Sequence, residues 1–218
     1  MVKLAVFDCD GTLIDSQVNI LRAMGQSFAR HGLAPPPDHA IRRVVGLSLV
    51  ESMQMLLPEA EHALHVSLAQ DYKSAFQRLR ADRTLDPEPL YAGIAELLNG
   101  LRDAGWLMGV ATGKSDRGLA LALAHHGLSD HFITLQTADR HPSKPHPSML
   151  RAALAEAGVA AADAVIIGDT VFDMAMGANA RVRAIGVDWG YHDADELLEA
   201  GAIGVALDTD ELRGLIDG

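Results

Sequence analysis

The sequence predicts an α/β protein, a doubly wound parallel sheet with an inserted all-helical cap domain. Two observations carry this. From residue 91 onward, short apolar runs alternate with amphipathic segments of helical period, the pattern of parallel strands joined by covering helices. Residues 16–83, by contrast, read as helix throughout. From the end of the first apolar run at Asp8 to the end of the next strand at Thr112 is 104 positions, whereas a β-α-β step takes about 30. The excess matches the helical block, so that block is read as an insertion at the carboxyl edge of the sheet, where open parallel sheets bind ligands. The expected domains are a core of residues 1–15 and 84–218 and a cap of residues 16–83.

The first element is Lys3–Asp8, a buried strand that stops at Asp-Cys-Asp-Gly-Thr. From Ser16 the period changes, and Val18, Leu21, Met24 and Phe28 mark one face of a helix ending near Gly32. Three prolines at 35–37 break it. Asp38 is placed to cap a short helix through Val45, and Ser48-Leu49-Val50-Glu51 has the form of a capping box. Pro58 stops that helix, and a longer one follows from Glu59 to Arg83. Beyond Pro87 and Pro89 the order is helix 91–104, strand 106–112, helix 115–126 and an apolar run at 132–135. Helix 147–157, strand 164–168, helix 171–180 and strand 183–187 come next, then helix 193–200, strand 202–207 and helix 209–216.

Composition narrows the function. Hydrophobic residues make up 49% and charged residues 22% of 218 positions, which excludes a wholly disordered chain. The net charge of −11 speaks against a nucleic-acid partner held by a broad basic face, and against an anionic membrane surface. The apolar start Leu4–Phe7 is cut off at once by Asp8, too short for the h-region of a signal peptide. Cys9, the single cysteine, has no internal disulfide partner. The expected compartment is a reducing cytoplasm.

Four polar clusters fall just past predicted strand ends: Asp8-Cys9-Asp10-Gly11-Thr12, Ala111-Thr112-Gly113-Lys114, Lys144-Pro145 and Gly168-Asp169-Thr170-Val171-Phe172-Asp173. They converge on the ligand edge of the sheet. Asp8 and Asp10 share a face of extended backbone, where two carboxylates repel unless a cation or a shared proton compensates them. All-oxygen ligation selects a hard ion such as Mg2+, which keeps waters and accepts a substrate phosphate.

These clusters, read as DCDGT, ATG, SKPHP and GDTVFDMAMGANA in that order, resemble the four signature motifs of the haloacid-dehalogenase-like (HAD) superfamily. The helical insertion resembles the cap of the phosphoglycolate-phosphatase-like branch, and GVDWGY at 186–191 is similar to a stretch common in those enzymes. The resemblance implies a Mg2+-dependent phosphatase acting on a small phosphorylated metabolite, a phosphoglycolate-like phosphomonoester. It makes Asp8 the nucleophile that forms an aspartyl-phosphate and Asp10 the general acid-base. Thr112 and the Gly113 N–H would bind phosphoryl oxygens, and Lys144 would neutralise the phosphoryl group and Asp8. Asp169 would ligate Mg2+ with Asp8 and the main-chain carbonyl of Asp10, while Asp173 would hold a metal-bound water or Lys144. Four carboxylates, one Mg2+ and one lysine leave a residual negative charge, which favours a proton on Asp10. In the insertion, Arg42, Arg43 and the Gly46-Leu47-Ser48 turn resemble the region that reads the leaving group, with Arg43, Gly46 and Ser48 the candidate substrate contacts.

Other readings fit less well. A cysteine phosphatase needs Arg six positions after its nucleophile, and Asp15 stands there relative to Cys9. Asp10 argues against a dehalogenase, and an insertion whose one lysine is Lys73 argues against a phosphonatase. A β-phosphoglucomutase-like mutase would carry a histidine near Ile20, and none occurs between Asp15 and Arg30. A phospho-aspartate signalling module would be shorter and uncapped. His125 and His126 suit the dipole at a helix end, and no zinc-ligand spacing occurs.

Overall fold

The computed structural model describes residues 2–218. It opens on β1 (Leu4–Phe7) and passes through α1 (Gln17–Arg30), α2 (Asp38–Arg42), α3 (Leu49–Leu56) and α4 (His62–Ala81). The chain then alternates: α5 (Ile94–Asp103), β2 (Leu107–Thr112), α6 (Asp116–His125), β3 (Thr134–Thr137), α7 (Ser148–Ala157), β4 (Ala164–Gly168) and α8 (Val171–Ala180). It ends with β5 (Arg183–Val187), α9 (Ala194–Glu199), β6 (Val205–Ala206) and α10 (Thr209–Asp217).

The six strands form one parallel sheet in the order β3-β2-β1-β4-β5-β6. β1 is central: Phe7 lies opposite Val110 on one side and Ile167 on the other. From β1 the chain winds outward to β3, then returns to β4 and winds the other way. The direction therefore reverses between β1 and β4, the switch point at which such sheets leave a crevice beyond their carboxyl ends. Side chains alternate across β1. Ala5 and Phe7 join Leu98, Leu101, Val110, Ile167 and Leu212 on one face, while Leu4 and Val6 join Leu150, Ile166 and Met174 on the other. Burial on both faces is why β1 and β4 read as unbroken apolar runs.

The inserted helices have an apolar cluster of their own, with Ile20, Met24, Phe28, Ile41, Met53 and Leu68 at its centre. Two segments link them to the sheet and are paired with each other. Asp15 N donates to Pro89 O at 2.9 Å, and Tyr91 N donates to Leu13 O at 3.1 Å. Asn19 braces the crossing with its side-chain amide, donating to Asp86 O at 2.9 Å and accepting from Asp86 N at 3.0 Å.

Several elements differ from the sequence reading. The strand expected at 132–135 runs from Thr134 to Thr137. Its inward polar groups are satisfied locally: the Thr134 hydroxyl donates to Glu156 at 2.5 Å and Gln136 Nε2 donates to the same oxygen at 2.8 Å. Apolarity marked the approach to this strand rather than the strand. β6 is two residues long instead of six, and α2 ends at Arg42 with no side-chain cap, since Pro37 and not Asp38 precedes it. Ser48 does precede α3, but its hydroxyl makes no cap and is buried without a partner; its N–H donates to Ser143 Oγ at 2.9 Å instead.

Ile166 is wholly buried under α7 and α8. Ile166→Ala should cost about 2–5 kcal/mol, because the surrounding sheet closes a cavity only in part. Urea unfolding should show this as a lower midpoint at an unchanged slope. A loss under about 1 kcal/mol would show that the neighbours collapse into the space.

Candidate active site

β1 delivers Asp8 and Asp10 to the switch point. The turn that follows depends on Gly11, at φ +87°, where a Cβ would lie 2.2 Å from Asp169 Oδ2 and 2.5 Å from the Tyr191 ring. Only glycine combines that dihedral with so close an approach. Thr12 then donates to Asp169 Oδ1 at 2.7 Å, tying the end of β1 to the end of β4.

A buried charge cluster sits behind this turn. Lys144 Nζ lies 2.9 Å from Asp8 Oδ1 and donates to Asp173 Oδ1 at 2.7 Å, with all three side chains essentially inaccessible. The other Asp173 oxygen accepts from Thr170 N at 3.2 Å and Thr170 Oγ1 at 2.6 Å, so this residue both starts α8 and grips the lysine. Asp169 Oδ2 accepts from Tyr191 N at 3.0 Å. Asp8, Asp169 and Asp173 each offer an oxygen within 4.8 Å of the others.

So much negative charge is strained without a counter-ion. Burial pushes the Asp8 carboxyl up to about 7, against the pull of Lys144. Asp169 is held well above the usual carboxylate range by burial and by the charges of Asp8 and Asp173. Burial opposes the charge on Lys144, but Asp173 and Asp8 outweigh it and raise its pKa. Asp8 Oδ2 is buried with no hydrogen-bond partner. An orphaned carboxylate oxygen facing two further carboxylates fits a hard divalent cation with oxygen ligands. Both oxygens of Asp173 are engaged by Lys144 and Thr170, and both of Asp169 by Thr12 and Tyr191 N, which leaves Asp8 Oδ2 as the unengaged oxygen facing the cluster.

Asp10 is held apart from this cluster. Its Oδ1 is 2.8 Å from Lys114 Nζ and also accepts from the Ser16 hydroxyl. Lys114 was not assigned a role from sequence. A strand-end lysine two positions after Thr112 carries no periodic signal, and nothing linear relates it to Asp10. Its ammonium adds a positive charge to the site beside Asp10.

Asp8, Asp10, Thr112, Gly113 and Lys114 line one side of a cavity of about 680 Å3, and the insertion lines the other. Lys144, Asp169 and Asp173 are not exposed to it. Gly46 and Ser48 line it. A Cβ on Gly113 would lie 2.5 Å from Leu47 O and 2.9 Å from Gly46 O, so the 46–48 turn rests directly on the phosphate-binding candidate. Arg43 is elsewhere: its guanidinium pairs with Glu196 of α9, Nη2 donating at 2.7 Å, and it does not line the cavity. Arg42 does not line it either. Among the described residues, no helix is long and apolar enough to cross a membrane.

The family model for haloacid dehalogenase-like hydrolases matches residues 5–187, from β1 to the end of β5. A probable phosphatase, IndB, of Dickeya dadantii is 32% identical over 92% of this chain and 87% of its own length. A phosphoglycolate phosphatase of Rhodospirillum rubrum is 31% identical over 94% of this chain and 87% of its own. Among solved structures, one described as a predicted phosphatase from Clostridium acetobutylicum superposes with a TM-score of 0.89 at 25% identity, covering 99% of this chain and 98% of that one. Sequence and fold agree along nearly the whole chain, and the protein belongs to the haloacid dehalogenase-like hydrolases as a phosphatase of that type.

Proposed function

We propose that this phosphatase hydrolyses a small phosphorylated metabolite in two steps, through an aspartyl-phosphate on Asp8, with Mg2+ as its cation. The observation that supports this most directly is the different setting of two carboxylates at the end of one strand. Asp8 is sealed against Lys144 with an unpartnered oxygen, whereas Asp10 presents a carboxylate to the cavity, held at Oδ1 alone. Paired carboxylates in unlike environments divide nucleophilic and acid-base work between them.

In this mechanism Asp8 attacks phosphorus as the leaving oxygen departs. Lys114 and Ser16 fix the orientation of Asp10, so that Oδ2 gives a proton to the leaving oxygen and later takes one from the attacking water. The Thr112 hydroxyl and the Gly113 N–H orient the phosphoryl oxygens. Lys144 balances the charge on Asp8 and is itself positioned by Asp173. Asp8, Asp169 and the main-chain carbonyl of Asp10 would hold Mg2+, with Asp173 supporting the set through Lys144. When bound, the ion supplies Lewis-acid neutralisation of phosphoryl charge. The insertion, residues 16–83, would act as a cap that excludes water from the cavity.

Three outcomes test this reading. Asp8→Asn should retain the fold by circular dichroism and lose turnover, because an amide forms no acyl-phosphate. Activity above a few per cent, not traceable to deamidation, would remove Asp8 as nucleophile.

Asp10→Asn should still bind Mg2+ and slow both steps by about 10²–10⁴-fold. The loss should be smaller for phosphorylation by acetyl phosphate, whose leaving group needs little protonation. Labelled phosphate should then accumulate on Asp8 in the variant after an acid quench, and not in the parent. Undiminished turnover without label would give Asp10 another role.

Mg2+ should stabilise the protein more at high pH than at low. Asp8 titrates near 7 in the folded protein and near 3.8 in the unfolded chain. Between those values the folded state holds the extra proton, so the metal-free protein loses stability as pH rises. The cation competes with that proton, so its stabilisation grows through the same window. Thermal melts in Mg2+ and in EDTA should show a larger rise in Tm at about pH 8 than at about pH 5.5. Equal shifts would take Asp8 out of the ligand set.

A further inference from the structure

We propose that the leaving group this enzyme selects carries a flat, largely apolar ring seated on Tyr72 and Phe76 of α4, rather than being a short hydroxy acid. This rests on the phosphatase reading above and concerns the other half of the substrate. Tyr72 and Phe76 are one helical turn apart and share a face. Their rings are 5.2 Å apart at 54°, both are only partly buried, and both line the cavity. Ala69, a turn earlier on the same helix, and Ile20 and Met24 of α1 add further apolar wall. Asp10 lines the same cavity as these two rings. A leaving group released at Asp10 departs into a cavity that this aromatic pair helps to line.

The cavity's cations divide into committed and unpaired ones. Lys144 is committed to Asp8 and Asp173, Lys114 to Asp10, and Lys73 lies 3.4 Å from Asp139. Arg43 is outside, paired with Glu196. Arg80 and Arg117 also line the cavity and form no ion pair among the described residues, so either can receive an anionic group that the leaving group carries along with its ring. A cavity of about 680 Å3 falls in the range that encloses ligands much larger than a two-carbon acid.

The test compares leaving groups of matched chemistry. Ethyl phosphate and phenethyl phosphate both release a primary alcohol, and phosphoglycolate is run beside them with Mg2+. Burying the added ring should raise kcat/KM for the phenethyl ester about 10–100-fold over the ethyl ester, mostly through KM. Phe76→Ala should bring that ratio down by about 10-fold. The stable analogues propylphosphonate and phenylpropylphosphonate are titrated in parallel by calorimetry, so that recognition is read without turnover. Hydrolysis that favours phosphoglycolate, or treats the two esters alike, overturns the ring site and leaves the phosphatase reading intact. Tighter binding of the phenyl analogue with no ester hydrolysed supports the ring site and overturns the phosphatase reading.

Discussion

Lys144 between Asp8 and Asp173 is the contact around which this molecule is arranged. Its ammonium is sealed from solvent with one carboxylate at 2.9 Å and another at 2.7 Å, and Asp169 adds a further buried acid beside them. A buried charge that loses its partner costs about 3–5 kcal/mol, so each member constrains the others. The three come from the end of β1, the loop before α7 and the first turn of α8. Holding them together aligns the carboxyl ends of β1 and β4 across the switch point, where the crevice opens. Burial first, and then the neighbouring carboxylates, hold the Asp8 and Asp169 carboxyls above their usual range. Such an arrangement favours the fold weakly and a bound cation strongly.

Asp10 shows how two residues along one strand end can produce opposite settings. Asp8 turns inward to the lysine and the acidic oxygens. Asp10 turns to the cavity and meets Lys114 from β2's end and Ser16 from the start of the insertion. The orientation of the proposed acid-base group therefore depends on the segment that leads into the helical block. That block also touches the sheet edge through Gly46-Leu47 on Gly113, Ser48 on Ser143 and Arg43 on Glu196. Its seat and the local chemistry share residues, so its position bears on reactivity as well as on access.

Much of this was written linearly. Apolar runs at Leu4–Phe7 and 164–168 announced central strands because both their faces are covered, and the distance from Asp8 to Thr112 announced the insertion. Asp8, Asp10, Thr112, Lys144, Asp169 and Asp173 could be picked out as a set from their motifs, and the fold gathers them at the carboxyl edge of the sheet. What failed was local and has physical causes. The β3 strand lies under a polar network with Glu156, so hydropathy pointed two residues early. Ser48 resembles a helix cap, yet its N–H is used by Ser143 and its hydroxyl by nothing. Arg43 looked like a substrate contact and is bound to a glutamate 153 positions away.

The sequence by itself determined the class of fold, the order of its elements and the set of residues at the strand ends, since periodicity and motif spacing are properties of the chain. Tertiary structure alone decided which of those residues touch. It paired Lys114 with Asp10, set Arg43 outside the cavity, and brought Tyr72 and Phe76 to the same cavity as Asp10. The reason is that a side chain's partner depends on how separate elements pack, and two charges far apart in sequence carry no mark of the distance between them in space.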